Sequence, residues 1–122
     1  MKIKLIELRN SMQALGKIYN SEIPLPLAHK VSIFIKSLEP HLKAIDETQT
    51  KLIEKYEIKD VKKEMAEKSD VFKRLEGELA EYLVTTEIDV SDIGITWNDL
   101  IPYENRIIIS GFDKDLLSLY IK

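Results

Sequence analysis

A chain of 122 residues, 44% hydrophobic and 32% charged, can build one core of ordinary size and is too apolar to stay disordered. Its net charge of -3 gives no footprint for nucleic acid, and the lack of cysteine excludes disulfides, zinc–thiolate sites and thiol nucleophiles together. No apolar run reaches the roughly 18 residues of a membrane span, and Glu7, Arg9 and Asn10 interrupt any secretory leader, so a single cytoplasmic domain is expected.

Met1 to Leu5 alternates lysine with isoleucine or leucine, the period-two pattern of a short strand or lead-in. From Ile6 the period lengthens: Leu8, Met12, Leu15 and Tyr19 recur at four, three and four residues and predict a helix of about four turns. Pro24 and Pro26 break it, because prolines two apart cannot sit inside a helix, and they deliver the chain to the first turn of the next one. Val31, Ile35, Leu38, Leu42, Ile45, Gln49, Leu52 and Tyr56 then keep one phase, which predicts a helix from about Leu27 to Tyr56. Pro40 is expected to kink this helix, with a split into two helices at Glu39 as the alternative; the phase held across the proline favours the kink.

Residues 57 to 70 are almost all charged and read as a solvated turn or an exposed helix end. Phe72, Leu75, Leu79 and Tyr82/Leu83 mark another helix, expected to pair with the long one as an antiparallel helical hairpin. Val84 to Val90 is β-branched and alternating, and reads as a strand. An irregular packed stretch follows, then Ile107-Ile108-Ile109 as a short buried strand. A last helix runs from Asp113 to Ile121, with Ser110 or Asp113 as its cap. The class expected is α+β, predominantly helical: helices over residues 1–85, then a small C-terminal β unit and a closing helix over 86–122. A sheet of two or three strands can join residues 84–90 and 106–110, with 1–5 as the further candidate.

The charge is uneven. Residues 1–85 carry 15 basic and 14 acidic side chains, residues 86–122 only 3 against 7, so the C-terminal third is an acidic surface suited to a basic partner. Chemistry is sparse by comparison. His29 and His41 stand twelve apart, about 120 degrees around one helix, and cannot share a metal. The carboxylate pairs Asp46/Glu47, Glu64/Glu67, Glu76/Glu78 and Asp113/Asp115 all have a basic residue close by and read as solvated helix charges. The scattered glycines form no phosphate loop. No catalytic residue, metal site or cofactor is expected.

Two features point to binding. Gln49 is a polar residue within the long apolar stripe, a position that often fixes register between helices. Trp97, Tyr103, Phe112 and Tyr120 concentrate aromatic side chains, common interface anchors, in the acidic third. Candidate interface residues are therefore Leu38, Leu42, Ile45, Gln49, Leu52 and Tyr56 on the helix, and those four aromatics.

The order of motifs, from Met1-Lys2-Ile3-Lys4-Leu5-Ile6-Glu7-Leu8 through Asn10-Ser11 and Ala14-Leu15 to Lys51-Leu52-Ile53-Glu54-Lys55-Tyr56 and Thr85-Thr86-Glu87-Ile88-Asp89, resembles a group of short proteins of tailed phages and prophages of Gram-positive bacteria. The resemblance implies a viral origin and carries no catalytic residue. The expectation is a non-enzymatic interaction protein, homo-oligomeric through the helical hairpin, whose partner is a host protein or a phage assembly component. The alternative is capture of a nucleotide signal, which requires basic residues such as Arg9, Lys30, Lys36 or Arg106 to converge on one pocket.

Overall fold

A computed structural model describes residues 1–122. The elements are β1 (Lys2–Lys4), α1 (Leu5–Tyr19), α2 (Leu25–Lys55), α3 (Val61–Glu67), α4 (Asp70–Thr85), β2 (Glu87–Asp89), α5 (Trp97–Leu100) and α6 (Gly111–Leu117), with a 3-10 turn at Ile101–Tyr103. The architecture is predominantly helical, with one small antiparallel two-stranded sheet.

The sheet joins the chain's first residues to the segment after α4. Lys2 stands opposite Asp89, Ile3 opposite Ile88 and Lys4 opposite Glu87. Each lysine therefore faces an acid on the outer surface while the isoleucines meet on the inner one, a pairing that fixes the register, since a one-residue slip reverses both faces. The amide of Leu5 donates to the Thr86 carbonyl at 3.0 Å and that of Val90 to the Met1 carbonyl at 2.8 Å, extending the ladder at both ends.

Two strand expectations are corrected here. Val84 and Thr85 belong to the last turn of α4, not to a strand: the Thr86 amide still donates to Tyr82 at 3.1 Å and the Thr85 hydroxyl to the Glu81 carbonyl at 2.7 Å. The helix preference lost by a β-branched residue is only a few tenths of a kcal/mol, and continued hydrogen bonding outweighs it. The stretch 106–110 forms no strand at all, and Ile108 is 86% exposed. The C-terminal third thus holds one strand, and its partner comes from the N-terminus.

In α1, Leu8, Ser11, Leu15 and Ile18 form the buried face. Tyr19, predicted to close that stripe, is instead half exposed, at 48%. Helix α2 runs unbroken for 31 residues through Pro40, roughly 46 Å at 1.5 Å per residue. Pro24 caps it and Pro26 sits in its first turn, where no amide is needed. Its buried line is Val31, Phe34, Leu38 and Ile45, which moves Ile35 and Leu42 to half-buried flanks. The charged stretch resolves into the exposed helix α3. Asp60 accepts from the Lys63 amide at 3.1 Å to start it, and Lys68 at φ 49° ends it.

The core draws on every helix except α3. Leu8, Ala14, Leu15, Val31, Leu38 and Leu117 are fully buried, and Val90, Ile93, Ile95 and Leu100 cover them from the irregular stretch. The ring of Phe34 meets Tyr120 edge-on, 5.0 Å between centroids. This contact and the packing of α6 on α1 tie the chain's end to its beginning.

Candidate protein-interaction site

The C-terminal third is shaped by two reciprocal caps. Thr96 accepts from the Asp99 amide while Asp99 accepts from the Thr96 amide, starting α5. Ser110 and Asp113 do the same for α6, so both predicted caps act together. Between them the chain turns through Pro102, with the Arg106 amide on the Tyr103 carbonyl at 2.8 Å.

These turns enclose an open cleft of about 290 Å³. Its walls are Trp97, Leu100, Ile101, Ile107 and Ile109, with Glu104 and Lys114 as its polar members. The Lys114 ammonium lies 5.2 Å from the centre of the Trp97 ring, a cation–π contact. Ile101 is 56% exposed at the rim and Phe112, just before Asp113, is 71% exposed. Apolar walls with few polar groups are the composition of a site that takes an apolar side chain.

The ten predicted interface residues separate into groups. Leu38, Ile45 and Tyr120 are buried in the chain's own core, Ile45 at the edge of a surface depression. Leu42, Gln49, Leu52 and Tyr56 are half-buried: Gln49 and Leu42 share a shallow depression with Arg9 and Met12, and the Tyr56 hydroxyl donates to Glu78 at 2.8 Å. Trp97 lines the cleft, Tyr103 is half-buried beside it in sequence, and Phe112 is open to solvent. The aliphatic members of the cleft, Ile101, Ile107 and Ile109, were missed. A count of aromatics passes over them, and three successive isoleucines read as core.

The basic residues named for a small anionic ligand stand apart. Arg9 lies beside Gln49, Lys36 beside Tyr19, and Arg106 in a polar depression with Lys17, while the Lys30 ammonium donates to the Gly94 carbonyl at 3.1 Å. No three histidine, aspartate or glutamate side chains gather as a metal site.

The shifted titrations belong to structural pairs. Asp113 is held below the usual aspartate range by the Lys17 ammonium at 2.7 Å and by the Ser110 amide, and Glu78 is held low by Lys55 and Tyr56. Lys55 and Tyr56 are raised in turn by their bonds to Glu78. Both carboxylates are depressed in the fold, so the stability they contribute is present above their unfolded values and lost as pH falls through the folded ones. Urea unfolding followed by circular dichroism is expected to show a midpoint that drops between about pH 5 and pH 2. The drop is expected to be shallower in the double variant Asp113→Asn, Glu78→Gln.

No family model, curated protein or solved structure matches this chain in sequence or fold.

Proposed function

We propose that this chain is a non-enzymatic interaction protein that holds a partner protein at the apolar cleft between α5 and the 107–109 stretch. The observation that supports this reading is the cleft itself: aliphatic and aromatic walls, open to solvent, on the acidic third of the chain. A few buried anchors supply most of the energy at protein interfaces. Helices α2 and α4 are the arms of a helical hairpin that, with α1, forms the scaffold, and the Lys55–Glu78 pair at 2.8 Å joins them. The partner we propose is a host or phage protein met in the cytoplasm of an infected cell, a reading that rests on the resemblance to short phage proteins alone. Self-association through the helical stripe has less support, since Leu38 and Ile45 already pack inside the chain. Nucleotide capture has none from the scattered positions of Arg9, Lys30, Lys36 and Arg106.

The test is affinity capture from host extract with matched variants. Ile101→Asp places a charge at the exposed rim, and Ile33→Asp places one on the exposed face of α2, 55% accessible. Ile101→Asp is expected to weaken capture by about tenfold or more, the scale of a hot-spot loss, and Ile33→Asp to leave it unchanged. The reverse pattern would sink the cleft as the site.

A further inference from the structure

The main core stops short of one end of the α2–α4 hairpin. Leu52 packs on it from α2 and Leu79 joins it from α4, but no apolar side chain from 53 to 78 belongs to it or packs directly on it. Leu75 is buried, yet it stands outside that cluster.

Helix α3 lies in this overhanging tip. It has seven residues and buries none of them, and it packs chiefly on α4. A helix shorter than about 12 residues is marginal in water without tertiary support. The turns on either side of it are also costly. Helix α2 ends with the Ile58 amide on the Ile53 carbonyl at 3.1 Å, and α3 with the Ser69 amide on the Glu64 carbonyl at 3.2 Å. Each turn of this kind passes through one left-handed residue, where glycine is usual. Here those residues are Glu57 at φ 53° and Lys68 at φ 49°. A side chain with a Cβ is disfavoured there by about fivefold or more.

One polar cluster closes the tip. The Glu78 carboxylate on α4 accepts from the Lys55 ammonium at 2.8 and 3.1 Å and from the Tyr56 hydroxyl at 2.8 Å. Lys55 and Tyr56 are the last residue and the cap of α2, and Glu78 directly precedes Leu79, where α4 enters the core.

We infer that residues 57–69 form a strap that unlatches by itself: it melts as a unit while the core stays folded, and the Glu78 cluster sets how often. Opening gives up exposed helix bonds and little buried apolar surface, and it relieves both left-handed residues. It releases Tyr56, half-buried in the closed form, from Glu78.

Native-state amide exchange, read by NMR in urea below the unfolding transition, tests this. The hydrogen-bonded amides of Ile58, Glu64 and Ser69 are expected to exchange at least about a hundredfold faster than those of Leu15 and Leu38, at rates that urea hardly changes, since little surface is exposed. Ile18→Val, at a core position 1% exposed, is expected to speed Leu15 and Leu38 by roughly three- to tenfold. It should leave the strap amides unchanged, because the core is intact whether the strap is open or closed. Glu78→Ala removes the latch and is expected to speed strap exchange by about threefold or more. Glu57→Gly combined with Lys68→Gly is expected to slow it by about fivefold or more. Strap amides that speed up with Ile18→Val in step with Leu15 and Leu38 open only when the whole chain unfolds, which overturns the inference. Faster exchange at Leu15 and Leu38 but not in the strap of Glu78→Ala places the cluster outside the opening and overturns it too.

Discussion

Replacement of Phe34 by alanine is expected to lower the free energy of unfolding by about 3–5 kcal/mol, the range for removing a buried aromatic ring. Phe34 is 2% exposed and sits on the inner line of α2, between Val31 and Leu38. Its ring packs edge-on against Tyr120, and so links the longest helix to the last residues of the chain. Truncation removes the apolar transfer energy of the ring and leaves a cavity walled by α2 and the C-terminal segment, which are held elsewhere and can collapse only in part. Total stability of a domain this size is typically about 5–15 kcal/mol, so the variant should be near its unfolding threshold at room temperature. Urea denaturation measures it. A loss of under about 1 kcal/mol would mean that Phe34 is not central to the core.

The second expected result concerns the one polar contact inside that core. Ser11 is fully buried, its hydroxyl 3.0 Å from the Leu8 carbonyl and 2.6 Å from the Tyr120 hydroxyl. The serine has one hydrogen, and the carbonyl can only accept, so that hydrogen goes to Leu8 and the tyrosine donates to the serine oxygen. Burial holds the Tyr120 phenol above its ordinary pKa. Ser11→Ala leaves the tyrosine hydroxyl without its acceptor in an apolar surround, a cost of about 1–3 kcal/mol. Adding Tyr120→Phe removes the stranded hydroxyl, and the double variant is expected to recover most of the loss, because replacing both partners by apolar groups of similar shape is nearly neutral. Additive losses in the double-mutant cycle would show that the two hydroxyls do not interact.

Both residues show where sequence reading stops. A serine three residues after Leu8 breaks an apolar period, so the stripe of α1 reads as Leu8, Met12, Leu15 and Tyr19, while the buried face is Leu5, Leu8, Ser11, Ala14, Leu15 and Ile18. The Leu8 carbonyl and a tyrosine hydroxyl 109 residues away together satisfy the buried serine. The same holds for Phe34, one position from the predicted Ile35: period alone locates a face to within about one residue, roughly 100 degrees of rotation, and the neighbours choose within it.

The candidate site was half legible. Trp97 was singled out for its residue type, and the acidity of its third was read from a count of charges. Ile101, Ile107 and Ile109 were not, since an isoleucine in a wall and one in a core look alike in sequence. Leu38, Ile45 and Tyr120 show the same ambiguity from the other side: read as a surface stripe, they pack within the chain.

Local rules carried much of the fold. Spacing of apolar residues located α1, α2 and α4, proline placed the entry to α2, and Ser110 with Asp113 marked the start of α6. Each depends on interactions within a few residues, which the sequence states directly. Tertiary structure decided the rest: that β1 pairs with β2 across the four helices between them, that Val84 and Thr85 finish a helix, and that Ile107 to Ile109 stay unpaired. These outcomes turn on which distant groups arrive to bond or to cover a side chain. A β-branched run states only that it can be extended, and whether it becomes a strand depends on a second backbone beside it.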